Sequence, residues 1–331
     1  MRALKRRLNG AAWLLACAAL ASCGMGGIEQ GGGGPGVKKK DRAKGRVSAE
    51  ESRAGGYGEP EVLARLDDKS LDESSGLAAS QTSPGLVWTH NDGGRPLVYA
   101  FDTSGRPRGV WEVAGARLFD WEDMARGPGP ETGRPYLYVA DIGDNRLARR
   151  EVVVYRFPEP AVDGAAAGSD RERPLRTRPA EAIRLRYPEG PQDAETLMIH
   201  PRTGDLYVVT KVAVRPAVVY KLAAPFKTDA VNTLERIGEF LPPTLAGGLV
   251  TGGDIAPDGR SVVLCDYANG YELRLPAGAS DFDAVWRQAP TKFTLGERGQ
   301  GESVAYSADG TSVFATSEGA RPPLIRVTLA R

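Results

Sequence analysis

Glutamate recurs at the head of short apolar segments along this chain: Glu73 before SSGLAAS, Glu122 before DMARG, Glu195 before TLMIHP and Glu302 before SVAYSADG. A second set of polar residues ends the apolar segment that follows each of these. Asn91 and Asp92 end LVWTHND, Asp141, Asp144 and Asn145 end YLYVADIGDN, Lys211 ends LYVVTK, Asp266 ends VVLCDY and Glu318 ends VFATSE. If both sets open on one face, several carboxylates crowd together, and two of them about 7 Å apart at an effective dielectric of about 20 repel by roughly 2 kcal/mol. A bound cation, a proton held at raised pKa or the ammonium of Lys211 would compensate. Oxygen donors suit Ca²⁺ or Mg²⁺, whereas zinc or copper would want His or Cys, of which the chain has 2 and 3. The candidate cation ligands are therefore Glu73, Glu122, Glu195 and Glu302, with Asp254. In TGGDIAPDG, Thr251 takes the glutamate register and Asp254 falls three residues deeper. His90 and Asp92 are candidate general bases on the same face. The competing readings are acids that bond backbone N–H groups and basic side chains to tie the elements together, and a solvated acidic surface.

The elements that would position these residues repeat. PLVYAFD, VVVYRFPEP, AVVYKLAAP, GYELRLPAG and PLIRVTLA are five versions of one strand, each preceded by the polar-ended strand above and by a short first strand. Fourth strands follow at 109–115, 182–190, 234–240 and 291–297, and none follows the fifth repeat. A matching unpaired strand, EVLARLD at 61–67, lies before the first repeat. Pairing it with the last sheet closes a ring, so the chain is expected to be all-β, a five-bladed β-propeller closed by its N-terminal strand. The alternative is six blades, with one hidden in the insert at 161–181. That stretch has no apolar alternation and reads as a surface loop. The 41 glycines and 24 prolines agree with many turns. DGRSV and DGTSV are hairpin turns rather than calcium loops, since they lack alternating acids and a terminal Glu. Trp88 and Trp121 are expected to wedge between blades, as is Tyr267.

The segments DWED (120–123), DIGDN (141–145) and GESVAYSADG (301–310) resemble those of a family of secreted bacterial β-propeller lipoproteins over roughly residues 60 to 331. That resemblance implies fold and export and assigns no activity. More distantly the repeats are similar to the calcium-dependent propeller hydrolases of the gluconolactonase and paraoxonase group, none of whose distinctive motifs maps here.

Arg2, Lys5, Arg6 and Arg7 precede an apolar run from Ala11 to Leu20, as in an export signal. Leu20-Ala21-Ser22-Cys23 resembles a lipobox, which implies a lipoprotein signal peptide at 1–22 and a lipid anchor on Cys23. Gly24 resembles the residue following the anchor in lipoproteins of an outer membrane. Residues 23–58 read as a flexible Gly-rich and basic tether, and 59–331 as the propeller domain. Cys265 alone remains in the mature domain and is expected to be buried.

A formal net charge of +1 gives no global attraction for nucleic acid. The chain has no G-x-S-x-G, phosphate loop, H-E-x-x-H or C-x-x-C motif. The functional expectation is an extracytoplasmic, membrane-anchored and monomeric module. Its acid-lined face would take a protein, glycan or small-molecule ligand, with Ca²⁺ or Mg²⁺ as possible cofactor. The alternative is a calcium-dependent hydrolase of lactones or phosphoesters, with His90 or Asp92 activating water.

Overall fold

The computed structural model describes residues 47–164, 166–243 and 248–330. The signal, the lipobox and Cys23 lie outside them. No helix of the described residues is long and apolar enough to cross a membrane.

Five sheets, each with four main strands paired antiparallel, make a five-bladed propeller. After β1 (Glu61–Arg65), blade 1 holds β2 (Ser74–Ala79), β3 (Leu86–Asn91), β4 (Leu97–Asp102) and β5 (Pro107–Glu112). Blade 2 is β6 (Trp121–Pro128), β7 (Pro135–Asp141) and β8 (Val152–Pro158), then, beyond the two-residue β9 (Leu175–Arg176), β10 (Glu181–Arg186). Blade 3 is β11 (Ala194–Ile199), β12 (Leu206–Thr210) and β13 (Ala217–Leu222), then, beyond the two-residue β14 (Asn232–Thr233), β15 (Glu235–Phe240). Blade 4 is β16 (Gly252–Ile255), β17 (Ser261–Cys265), β18 (Asn269–Arg274) and β19 (Thr291–Thr294). Blade 5 is β20 (Gly301–Tyr306), β21 (Ser312–Ser317) and β22 (Pro323–Thr328), completed by β1, which pairs antiparallel with β22 from Glu61 opposite Arg326 to Arg65 opposite Pro323. Closure by the N-terminal strand removes the two edges that an open ring would expose.

The first strands of neighbouring blades lie side by side around the axis, and the aromatic residues fill the wedges between blades. Trp88 and Trp121 are fully buried, Trp88 against Trp111 with ring centroids 5.0 Å apart and Trp121 against Tyr155 at 6.3 Å. Asp-Gly turns close the inner hairpins of blades 4 and 5, with Gly259 and Gly310 at φ of 64° and 71°, where a side chain would be strained.

The insert at 161–181 forms no sixth blade. Its β9 adds parallel to the outer strand of blade 1, and β14, from the same connection in blade 3, adds parallel to the outer strand of blade 2. In blade 4 this connection forms a short 3₁₀ turn, Phe282–Arg287, packed on β15. Each of these loops covers the outer edge of the blade before it.

The propeller begins earlier than residue 59. Helix α1 (Ala49–Ala54) opens with a capping box, Ser48 and Glu51 bonding each other's amides, and packs on β19. Tyr57 then bridges to Leu329 and is only 2% exposed. Residues 47–58 thus belong to the domain and cover the edge of blade 4, instead of forming the end of a tether.

A carboxylate-lined channel mouth

First strands start, and second strands end, on one face of the disc, as the pairings Trp121 with Asp141 and Gly301 with Ser317 require. Backbone bonds set the register there. The amides of Asp92, Gly143, Lys211 and Glu318 donate to the carbonyls of Glu73, Asp120, Asp193 and Gln300. Those four acceptors therefore form one ring. Two residues further along, the first strand bulges in blades 2, 3 and 5, and the extra residue is Glu122, Glu195 and Glu302. A bulge re-aims a side chain out of the pleat. In blade 1 the bulge falls between Ser74 and Leu77, so Ser75 holds the equivalent place and Glu73 belongs with Asp120 and Asp193. In blade 4 the pairing of β16 with β17 runs from Gly252 opposite Cys265 to Ile255 opposite Val262, matching Ser303 to Tyr306 of blade 5, so Thr251 holds the place of Glu302 without a carboxylate.

Eight carboxylates thus gather at the mouth: Glu73, Asp92, Asp120, Glu122, Asp193, Glu195, Glu302 and Glu318. Among the described residues the one ion pair inside this group is Lys211 with Glu195, Nζ to Oε1 at 2.5 Å. Lys211 also lies over the ring of Tyr267, 5.1 Å from its centroid, so Tyr267 borders the mouth rather than wedging between blades. One carboxylate oxygen from each of Asp92, Asp120 and Glu122 lies within 4.8 Å of the others. At that spacing, with an effective dielectric of about 20, each ionised pair repels by about 3 kcal/mol.

Protons relieve part of this. Burial, then the charges of Asp120 and Glu73, push the Asp92 carboxyl up to about 8. Burial and Glu195 push Glu302 up to about 8, where it accepts a bond from Gln300 Nε2 at 2.7 Å. Burial takes Glu195 to about 7 against the pull of Lys211. Burial, then Glu195 and Asp92, raise Glu122 well above the ordinary range. Lys211 is raised through its carboxylate neighbours and stays charged. Glu195 Oε2 is buried and has no hydrogen-bond partner among the described residues.

The DIGDN segment forms the wall behind this trio. An ideal Cβ on Gly143 would lie 2.2 Å from Glu122 Oε1 and 2.5 Å from Asp120 Oδ2, so a larger residue there would push these carboxylates aside. Arg149 fixes the loop, donating from Nη1 to the Gly143 carbonyl at 2.8 Å and pairing with Asp141 at 2.7 Å. Asp144 accepts from the amides of Ala148 and Arg149, while its own amide donates to Asp193 Oδ1 at 2.8 Å. Sequence reasoning located this segment without a role for it. By backbone register Asp120 has two acidic counterparts, Glu73 and Asp193.

The structure leaves other candidates elsewhere. Asp254 accepts from the amides of Ile255 and Tyr306 at 2.8 and 2.9 Å and faces Arg126, away from the trio. Asp123 makes the same bridge between blades 2 and 3, to Met124 at 2.8 Å and Leu197 at 2.9 Å. Arg126, which the sequence reading passed over, reaches from blade 2 across the axis. It donates to the carbonyls of Ala79 in blade 1 and Ser307 in blade 5, both at 3.3 Å. His90 is fully buried, its ring edge-on to Trp121, and burial lowers its pKa to about 4. It is a neutral wall residue rather than a base on the open face. Asp92 does stand at the mouth, within the trio.

Together these features define a class: a five-bladed β-propeller with one channel mouth lined by carboxylates and the interior crossed by a buried arginine. No family model and no curated protein matches the chain. Among solved structures, a chain in "Crystal structure of Nidogen/Laminin Complex" is similar at a TM-score of 0.42 and 13% identity, covering 75% of this chain and 73% of that one. At that distance the architecture rests on the sheet topology itself.

Proposed function

We propose that the chain is a membrane-anchored extracytoplasmic binding module whose channel mouth holds a divalent cation, Ca²⁺ or Mg²⁺, on Asp92, Asp120 and Glu122. The propeller fold supports a binding or scaffold role in general. The cation reading is carried by one observation: three carboxylate oxygens within 4.8 Å of one another. Ca²⁺ bonds oxygen at about 2.4 Å, so two ligands on opposite sides of one ion stand about 4.8 Å apart. An ion there would screen Glu195, whose second oxygen has no partner. The donor set is all oxygen, which favours hard cations over zinc or copper. Export and the anchor rest on the basic-apolar N-terminus and on Leu20-Ala21-Ser22-Cys23. The resemblance of the DWED and DIGDN segments to those of secreted propeller lipoproteins fits the same picture, since both segments border the mouth.

Titrating the metal-stripped chain with Ca²⁺ in a calorimeter, alongside its melting temperature, tests the cation. Binding to the folded form raises the melting temperature. Absence of both heat and shift at millimolar Ca²⁺ and Mg²⁺ removes the cation from the proposal, and Glu122→Gln must abolish any response seen. Cys23→Ser is expected to move the protein out of the membrane fraction, and unchanged membrane association removes the anchor.

A further inference from the structure

Five large apolar side chains are strongly exposed among the described residues: Val62 58%, Phe119 74%, Leu147 58%, Val214 77% and Leu241 57%. Val62 lies on β1 at the rim of blade 5. The other four lie on loops that join a second strand to a third or a fourth strand to the next first strand, and all such loops emerge on the face that carries the carboxylate mouth. Phe119 and Leu147 flank the first two strands of blade 2. Val214 follows β12 and Leu241 follows β15, so both belong to blade 3, the adjacent blade. None of the four is on the opposite face.

Two of them are held in a conformation that side chains rarely adopt. Leu147 has φ of 52° and Val214 φ of 54°, and a β-branched residue there is a pronounced outlier. The Arg149 guanidinium lies 4.8 Å from the centre of the Phe119 ring and braces it from the side of the mouth. Beside the Val214 loop, blade 3 carries a cleft of about 270 Å³ whose lining includes Val212, Pro216 and Val218 with Arg215, Arg236 and Glu239. A single exposed apolar residue needs no explanation, whereas four on two adjacent blades, around a strongly charged depression, mark an interaction surface.

Charge decides what that surface fits. Eight carboxylates face Lys211 there, and although burial and crowding raise Asp92, Glu122, Glu195 and Glu302, the remaining carboxylates still outnumber the one ammonium. An anionic partner would be repelled and a cationic one drawn in. We propose that the blade 2 and blade 3 sector of the mouth face docks a basic segment of a partner protein, with a lysine or arginine over the carboxylates and neighbouring apolar side chains on Phe119, Leu147, Val214 and Leu241. This rests on the mouth being a binding face, not on a cation being bound.

The test uses a short fluorescent peptide of alternating lysine and leucine with the full chain, read by anisotropy, and peptides alternating lysine with serine and glutamate with leucine beside it. The lysine-leucine peptide is expected to bind, the lysine-serine peptide about tenfold more weakly and the glutamate-leucine peptide not at all. The double variant Phe119→Ser, Val214→Ser changes no charge and removes exposed side chains only, so it should fold and lose about tenfold in affinity for the lysine-leucine peptide. Equal binding of the two lysine peptides, or an unchanged affinity in the double variant, overturns the proposal. So does loss of Phe119-dependent binding to the peptide in favour of phosphatidylcholine-phosphatidylserine vesicles, which would make the face a lipid surface. A calcium response without peptide binding leaves the cation standing and removes this partner, and the converse removes the cation alone.

Discussion

Arg126 and Asp254 meet inside the propeller from blades 2 and 4, Nη2 to Oδ2 at 3.9 Å, with side chains only 5% and 7% exposed. The guanidinium also takes the carbonyls of Ala79 and Ser307, so one side chain from blade 2 contacts three other blades. The carboxylate in turn receives two amides and spans blades 4 and 5. This is a closed polar network in the core, and removing one member leaves the other as an uncompensated buried charge.

Arg126→Met should therefore destabilise the chain by about 3 kcal/mol, the usual cost of stranding one half of a buried pair. Asp254→Asn should cost on the order of 2 kcal/mol, since the amide oxygen can still accept one of the two amide bonds. Urea denaturation measures both. Neither change touches the trio at the mouth, so Asp254→Asn should keep its calcium response where Glu122→Gln loses it. A calcium response lost in Asp254→Asn and kept in Glu122→Gln would place the ion at the axis instead.

Gly143→Ala puts a methyl group where the Glu122 and Asp120 oxygens now lie, 2.2 and 2.5 Å away. Either the loop moves out or the carboxylates turn away, and each breaks the spacing that suits one ion. We expect calcium affinity to fall by about tenfold or more, because backing groups that orient metal ligands commonly matter at that level. Calorimetry of the variant decides it, and an unchanged affinity would mean that Gly143 is only a turn residue.

Much of the architecture was legible in the sequence because strands announce themselves by alternation and the missing fourth strand of the last repeat had one possible donor at 61–67. The site was less legible because the register of each first strand is set by backbone pairing and not by its nearest glutamate. Blade 1 carries serine at the bulge, Ser75, and its glutamate two positions earlier, so Glu73 looked equivalent to Glu122 although its backbone register is that of Asp120. Arg126 looked like an ordinary charge in EDMARG, since nothing in the pattern says that its side chain crosses the axis. The role of Gly143 depends on a contact with Asp120 and Glu122 that only the fold brings about.

Glu302 offers a pH test away from the trio. Burial and Glu195 raise its folded pKa to about 8, above the unfolded value near 4.5. A group raised in this way binds its proton more tightly in the folded state, so stability is intact below about pH 4.5 and is lost as pH rises towards 8. Glu302→Gln keeps an acceptor for Gln300 and cannot ionise. Relative to the unaltered chain it should be neutral at pH 4 and stabilising at pH 8, on the order of 2 kcal/mol. Urea midpoints at the two pH values, without divalent cation, give the sign. A variant that is less stable at pH 8 would show that the ionised carboxylate is held by partners rather than crowded by like charges.

The last prediction concerns where the domain begins. Tyr57 stacks on Phe293 with ring centroids 4.2 Å apart and planes 5° from parallel. Its hydroxyl donates to Glu272 Oε2 at 2.7 Å, and Tyr306 of blade 5 donates to Oε1 of the same carboxylate at 2.8 Å. Ser52 in α1 accepts the amide of Thr294 at 2.9 Å, and Arg274 pairs with Glu272 at 2.7 Å. The segment at 47–58 thus fastens blade 4 to blade 5 just ahead of the closing strand. Tyr57→Ala removes a buried ring and a bond to a buried charge and should cost about 4 kcal/mol. Tyr57→Phe keeps the stacking and should cost about 1.5–3 kcal/mol, the loss of the charged bond alone. A chain starting at Glu59 should melt well below one starting at Val47, because it loses this clasp and uncovers β19 while keeping every strand of the ring. Equal melting temperatures for the two would return the segment to the role of a simple tether.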